Sequence, residues 1–136
     1  MTAIDPHGLP TQTFEWGTIK WFVAPAHTPG AAMSFGEVVL LPGLGHDRHN
    51  HPASEEILYV LSGTGEQMVA DGPPFPVTAG DTIYVPTAVF HSTTNTGWSP
   101  LRLLAIYNPG GPERDLTSLP DFAEVAAGES PRLRRA

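Results

Sequence analysis

The stretch GLGHDRHNHPASEE, residues 43–56, contains three histidines and two adjacent glutamates within fourteen positions. In an extended strand, residues i and i+2 face the same way, so His49 and His51 can present two imidazoles to one point. A carboxylate follows at Glu55 or Glu56, immediately before an apolar run. Two converging imidazoles and a nearby carboxylate predict the beginning of a metal site.

A later segment supplies a fourth candidate ligand, His91. Three imidazoles and one carboxylate suit divalent Zn, Fe, Mn, Ni, Co or Cu, and the donor set alone does not select among these metals. Four protein ligands leave positions free in an octahedral shell. An open shell is typical of a catalytic metal.

Short apolar runs separated by turn residues extend from this stretch in both directions. With 14 glycines and 15 prolines in 136 residues, the chain turns often and has little room for long helices. The predicted strands are residues 18–23, 33–41, 57–61, 66–69, 82–85, 89–93 and 101–107. This pattern predicts an all-β sandwich or small barrel.

We divide the chain into an N-terminal arm (residues 1–12), one domain (residues 13–110) and a C-terminal extension (residues 111–136). The extension follows a Pro/Gly cluster and is more polar. Within it, residues 121–127 are compatible with a short helix. Asp121 would be its N-cap, Glu124 would complete a capping box, and Gly128 would end it.

The charge and the composition exclude several classes of function. The formal net charge is −7, and the clustered basic residues are Arg132, Arg134 and Arg135 at the C-terminus, so we expect no nucleic-acid partner. The chain has no cysteine, which excludes disulfides, thiolate catalysis and cysteine-based metal sites. No signal-like start and no apolar run of membrane-spanning length are present. We therefore expect a soluble, cytoplasmic protein that does not bind membranes.

Two motifs in the chain resemble those of the cupin superfamily. The first reads Gly43, five residues, His49, one residue, His51, four residues, Glu56, six residues, Gly63. The second reads Gly80, five residues, Pro86, then Ala88 where the family usually has glycine, then His91 and Asn95. This resemblance implies a double-stranded β-helix, the jelly-roll barrel of cupins, with metal ligands His49, His51, Glu56 and His91.

The choice of Glu56 rests on its spacing to Gly63 and its place at the head of the apolar strand. Alternation counted from His51 would favour Glu55, but Pro52 interrupts that count. His46 has an odd offset from His49, so we expect an extended strand to turn it away from the ligands. His46 and Glu55 nevertheless remain the candidate catalytic acid/base groups.

Alternation from the ligands predicts the lining of the site. Leu58 and Val60 should face inward with Glu56, and Val89 and Thr93 with His91, while Tyr59 and Phe90 should face away. An apolar lining predicts an apolar or aromatic small-molecule substrate. We expect the loops at residues 24–32 and 71–76 to shape the cavity. The aromatic residues predicted to be core or dimer contacts are Trp16, Trp21, Phe22, Phe35, Tyr59, Tyr84, Phe90 and Tyr107.

Residues 16–21 (WGTIKW), the compact motif spacing and residues 108–110 (NPG) are similar to the small cupins of aromatic polyketide pathways, which are cyclases. That resemblance implies a metal acting as Lewis acid on a keto or enol substrate. The alternatives are a dioxygenase of flavonol or β-diketone type substrates and a non-catalytic small-molecule-binding cupin. An open metal site in a cleft favours an enzyme. Cupins of this kind commonly form homodimers, which we expect here.

Overall fold

Two antiparallel sheets make up the computed structural model, which describes residues 3–131. The strands in chain order are β1 (Thr11–Phe14), β2 (Gly17–Val23), β3 (Ser34–Leu40), β4 (Gly45–His49), β5 (Glu55–Ser62), β6 (Thr64–Val69), β7 (Phe75–Thr78), β8 (Thr82–Val85), β9 (His91–Asn95), β10 (Leu101–Asn108) and β11 (Ala123–Val125). Two 3₁₀ helices span Pro6–Gly8 and Pro112–Ser118. Arg132, Arg134 and Arg135 lie outside the described residues.

The larger sheet has seven strands in the order β11-β1-β2-β3-β10-β5-β8, and the smaller has four in the order β4-β9-β6-β7. Consecutive strands often belong to different sheets, so the chain crosses between the sheets as it winds. This arrangement confirms the all-β jelly-roll prediction. Within residues 3–131, neither helix is long and apolar enough to cross a membrane.

The core lies between the inner faces of the sheets, and the two longest strands, β5 and β10, show this by burying every second side chain. In β10, Leu101, Leu103, Ala105 and Tyr107 are buried, while the residues between them are more exposed. β5 follows the same rule with Glu56, Leu58 and Val60 buried. The one polar member of this inner row, Glu56, is therefore placed in the core by strand periodicity.

Replacing Leu101 with alanine should destabilise the protein by about 2–5 kcal/mol, because the side chain is fully buried and the cavity would not be refilled. Urea unfolding measures the change. Leu104→Ala is the matched control, since Leu104 lies on the outer face of the same strand and is only partly buried. Equal losses in the two variants would contradict this assignment of the core face.

The predicted strands are present with shifted ends, but four strands were not predicted: β1, β4, β7 and β11. The predicted helix at residues 121–127 is wrong, because this segment contains β11, which pairs with β1. The Asp121 carboxylate accepts a hydrogen bond from the backbone N–H of Glu15 at 2.9 Å and caps no helix. The helical turn of the extension lies earlier, at Pro112–Ser118.

Candidate metal centre

Three separate segments bring the four predicted ligands together. His49 ends β4, His91 begins β9, and the two are paired in register across the smaller sheet. His51 follows β4 in a turn in which the Ser54 N–H donates to the His51 carbonyl at 3.3 Å. Glu56 is the second residue of β5 in the larger sheet. One donor atom from each of these four residues lies within 4.8 Å of all the others.

The donor atoms have the chemistry that a cation requires. His51 Nε2 and His91 Nε2 lie 3.0 and 2.9 Å from Glu56 Oε2, and all three atoms are buried without a hydrogen bond of acceptable geometry. Unpaired buried polar atoms are costly, and three that converge on one point are accounted for by a shared cation. The four side chains therefore fit a divalent metal and could hold one.

Backbone carbonyls orient two of the imidazoles. His49 Nδ1 lies 2.6 Å from the Asp47 carbonyl oxygen, and His91 Nδ1 lies 3.0 Å from the Val89 carbonyl oxygen. A carbonyl can only accept, so each Nδ1–H is the donor. The neutral rings are thereby held in the tautomer that leaves Nε2 free, which is the usual support for a metal-binding histidine.

The ionisation of His49 and Glu56 also suits a cation. Burial, reinforced by repulsion from His46 and His91, lowers the pKa of His49 to about 3, so its ring is neutral at pH 7. Burial raises the pKa of Glu56, but the imidazoles of His51 and His91 outweigh this effect and lower it to about 2. Burial lowers the pKa of His91, but the neighbouring Glu56 carboxylate raises it by more, so the net shift is upward. A carboxylate and an unprotonated imidazole are forms that bind metal.

The prediction that His46 turns away from the ligands is wrong. Its ring centroid lies 4.0 Å from that of His49 and 5.3 Å from that of Trp16. The register of β4 against β9 shifts between His46 and His49, and this irregularity breaks the simple alternation on which the prediction rested. Burial lowers the pKa of His46 below its ordinary value.

Glu55 lies on the opposite face of β5 from the cluster. Its Oε2 accepts a hydrogen bond from the Tyr84 hydroxyl at 2.9 Å, and its Oε1 accepts one from Asn108 Nδ2 at 3.1 Å. These bonds lower its pKa, with Asn108 contributing most. The structure therefore brings His46 to the site and leaves Glu55 on the outer surface of the sheet.

Ala88, where the cupin pattern usually has glycine, adopts a left-handed conformation with φ of 67°. Its N–H donates to the His51 carbonyl at 3.0 Å, and its own carbonyl accepts from Asn50 Nδ2 at 3.1 Å. The turn before His91 thus keeps the backbone geometry that glycine adopts most easily. Through these two bonds it ties the segment carrying His51 to the segment carrying His91.

A narrow cavity of about 50 Å³ adjoins the cluster. Its walls are Trp16, Ile19, Val38, Leu40, His46, His49, Glu56, Leu58, His91, Thr93, Leu103, Tyr107 and Leu116. Leu58 and Thr93 line it as predicted, whereas Val60 and Val89 pack into the core without reaching it. No residue of the loops 24–32 and 71–76 is among these walls, so the prediction that those loops shape the cavity is wrong.

The aromatic residues separate into inner and outer sets. Trp16, Trp21 and Tyr107 are buried as predicted. Tyr59 and Phe90 face away from the ligands, as the alternation predicted, and are 40% and 47% exposed. They and Tyr84, which is 55% exposed, are therefore not core residues of this chain.

A second pocket, of about 460 Å³, lies on the surface between Ile4, Pro6, Phe22, Val23 and Phe35. It is larger than the cavity beside the cluster, but no histidine, carboxylate or other titratable side chain of residues 3–131 lines it. Acid–base catalysis and metal binding both require such side chains, so we assign the candidate site to the narrow cavity.

The sequence matches the model of the Cupin domain over residues 36–107, a range that contains all four clustered side chains. The chain therefore belongs to the cupin family.

Two relatives come from species of Streptomyces. The chain is 34% identical over 109 residues to protein SchB of Streptomyces halstedii, covering 79% of this chain and 78% of that protein. It is 32% identical over 101 residues to a protein of Streptomyces cyaneus named polyketide synthase CurC, covering 74% of this chain and 64% of that protein.

Among solved structures, oxalate decarboxylase of Bacillus subtilis superposes with a TM-score of 0.66 and 26% identity. The match covers 79% of this chain and 31% of that one, so the present chain corresponds to less than a third of the larger protein. Mn(II) centres have been described in that decarboxylase.

Proposed function

We infer that this cupin is a metal-dependent enzyme acting on a small keto or enol compound, with cyclisation of a polyketide as the reaction. The observation that carries this proposal is the convergence of three imidazoles and one carboxylate at a largely apolar cavity, where His51 Nε2, His91 Nε2 and Glu56 Oε2 are buried without a hydrogen-bond partner among the described residues. The likeness to a streptomycete protein named polyketide synthase supports the choice of substrate class.

His49, His51, Glu56 and His91 would hold the metal. When bound, a divalent metal supplies Lewis-acid polarisation of keto or enol oxygens. Leu58 and Leu103 exclude water from the same space, which strengthens polar interactions inside it. Tyr107 also lines the cavity, and its hydroxyl keeps its proton because burial, followed by the negative charge of Glu56, raises its pKa well above the ordinary value. His46 is the acid/base candidate that the geometry favours, since it faces the cavity.

Oxalate chemistry fits this cavity less well. Oxalate is a small dianion, and among the described residues that line the cavity there is neither an arginine nor a lysine. A dianion would have only the metal to balance its charge against the Glu56 carboxylate. A neutral or singly charged keto–enol group suits the apolar walls better.

The proposal is tested by incubating metal-loaded and metal-free protein with a poly-β-ketone analogue while an electrode records dissolved oxygen. We expect the metal-loaded protein, but not the metal-free protein, to give a cyclised, dehydrated product without oxygen uptake. Substrate-dependent oxygen uptake would instead support a dioxygenase. An unchanged ketone and steady oxygen in the presence of bound metal would support a non-catalytic binding protein.

A further inference from the structure

Among the described residues, one wall of the cavity does not come from the barrel. Most of its lining side chains lie on strands, and Trp16 lies in the turn between β1 and β2. Leu116 is different, because it lies in the 3₁₀ helix Pro112–Ser118 of the C-terminal extension. It is only 6% exposed and belongs to the hydrophobic core cluster. The extension therefore closes part of the candidate metal site from outside the barrel.

Hydrogen bonds hold this extension to the barrel near its two ends, including the one that the Glu15 N–H donates to Asp121. At its start, the Gly111 N–H contacts Ser34 Oγ of β3 at 3.3 Å, and within the extension it also contacts Glu113 Oε2 at 2.9 Å. At its end, β11 pairs with β1 over three residues, and Phe122 packs on Phe14 with ring centroids 5.9 Å apart. Such short pairing contributes less cooperativity than the long strands of the barrel. If the segment moves outward, the larger sheet loses only its edge strand β11, and the strands that carry His49, Glu56 and His91 stay paired.

The cavity is so small that the position of Leu116 determines which ligands fit. A volume of about 50 Å³ accommodates only a few heavy atoms, whereas pockets for drug-sized ligands measure roughly 300–1,000 Å³. A polyketide chain is too large for this volume, so a wall must move for such a chain to lie inside it. The strands on the other sides are hydrogen-bonded within the two sheets. We therefore expect Leu116 to be the part of the lining that moves.

We propose that Leu116 is a specificity-determining residue: its side chain sets the upper size of the ligand that reaches the His/Glu cluster, and larger substrates enter only when the extension moves outward. This inference deepens the proposed function and rests on it for the identity of the ligand. In this role Leu116 supplies no donor atom to the cluster and acts as a wall of its cavity.

The first test needs no metal. Diethyl pyrocarbonate modifies accessible imidazoles, and peptide mass mapping reports each histidine separately. The modification rate of His91 is divided by that of exposed His27 in the same protein. In metal-free Leu116→Ala this ratio should be about tenfold higher than in the metal-free wild type. The reason is that loss of a buried leucine's packing favours local opening by at least that factor. Leu101→Ala is the matched control, since Leu101 is buried but does not line the cavity. Equal rates in the two variants would overturn the proposal.

The second test measures the size limit directly with two hydroxamates that share one metal-binding group. Acetohydroxamate is small and benzohydroxamate carries a phenyl ring, and both are titrated into cobalt-loaded protein by following its visible spectrum. The preference for acetohydroxamate should fall by about tenfold in Leu116→Ala, and Leu101→Ala should keep the wild-type preference. An unchanged preference in Leu116→Ala would refute a size-limiting role.

The two tests separate the two levels of inference. Failure of the wild-type protein to bind cobalt would count against the proposed function, while the modification rates would still decide whether Leu116 closes the site. Leu116→Val removes a single methylene, so it keeps a folded variant available should the alanine protein be unstable. Its modification rate should lie between those of the wild type and Leu116→Ala.

Discussion

Glu56→Gln should lower the affinity for divalent metal by at least about 100-fold, because loss of even a hydrogen bond to a metal ligand typically costs about 10–100-fold. The substitution keeps the size of the side chain and removes the charge that faces His51 and His91. Calorimetric titration of metal-free protein with Zn²⁺, Mn²⁺ and Co²⁺ measures the affinity. Elemental analysis after dialysis measures the stoichiometry.

Glu55→Gln is the matched control, one position away on the opposite face of β5. Its carboxylate contacts Tyr84 and Asn108, not the cluster, so metal affinity should remain at the wild-type value. Loss of metal in Glu55→Gln with retention in Glu56→Gln would reverse the assignment. Retention in both would show that the four side chains are not a metal site.

Gly17→Ala should destabilise the protein by at least about 4 kcal/mol, an exceptional loss for a single methyl group. Gly17 begins β2 with φ of 152°, and an added Cβ would overlap the carbonyl oxygen of Val39 in the neighbouring strand β3. The oxygen belongs to the backbone, so relief requires the two strands to separate. Thermal or urea unfolding measures the loss.

Gly30→Ala distinguishes collision from backbone strain. Gly30 also has a positive φ, of 78°, but an added Cβ there meets nothing within 4 Å. Its replacement should cost only the left-handed conformation, about 1–2 kcal/mol. Similar losses at both positions would indicate that conformation, and not the approach of β2 to β3, determines the effect at Gly17.

The part of the fold that the sequence predicts is the part with short apolar runs between turn residues. β10 and β5 contain the runs LLAIY (residues 103–107) and ILYVL (residues 57–61), which identify them as strands, whereas the alternating burial along them appears only in the folded structure. β4 was missed because GHDRH contains no apolar residue, so the metal-site strand has no hydrophobic period. β11 was missed because AEV follows a plausible helix cap, and its pairing with β1 is a tertiary contact that local propensity does not contain.

The four clustered side chains could be predicted because the spacing of residues within each of the two motifs is visible in the sequence. The position of His46 could not, since it depends on an irregularity in the pairing of β4 with β9. The contribution of Leu116 could not be predicted either. Its segment has no periodic pattern, and its burial depends on how the extension folds back over the barrel. Such long-range packing is determined by the assembled sheets.

The cluster draws His49 and His91 from the smaller sheet and Glu56 from the larger, so a bound ion would cross-link the two halves of the sandwich. A chain without cysteine has no disulfide to do this. By thermodynamic linkage, free metal at a thousand times its dissociation constant would stabilise the folded state by about 4 kcal/mol. The four side chains that form the candidate site would then also stabilise the packing of the two sheets, and the free energy of unfolding would depend on the concentration of free metal.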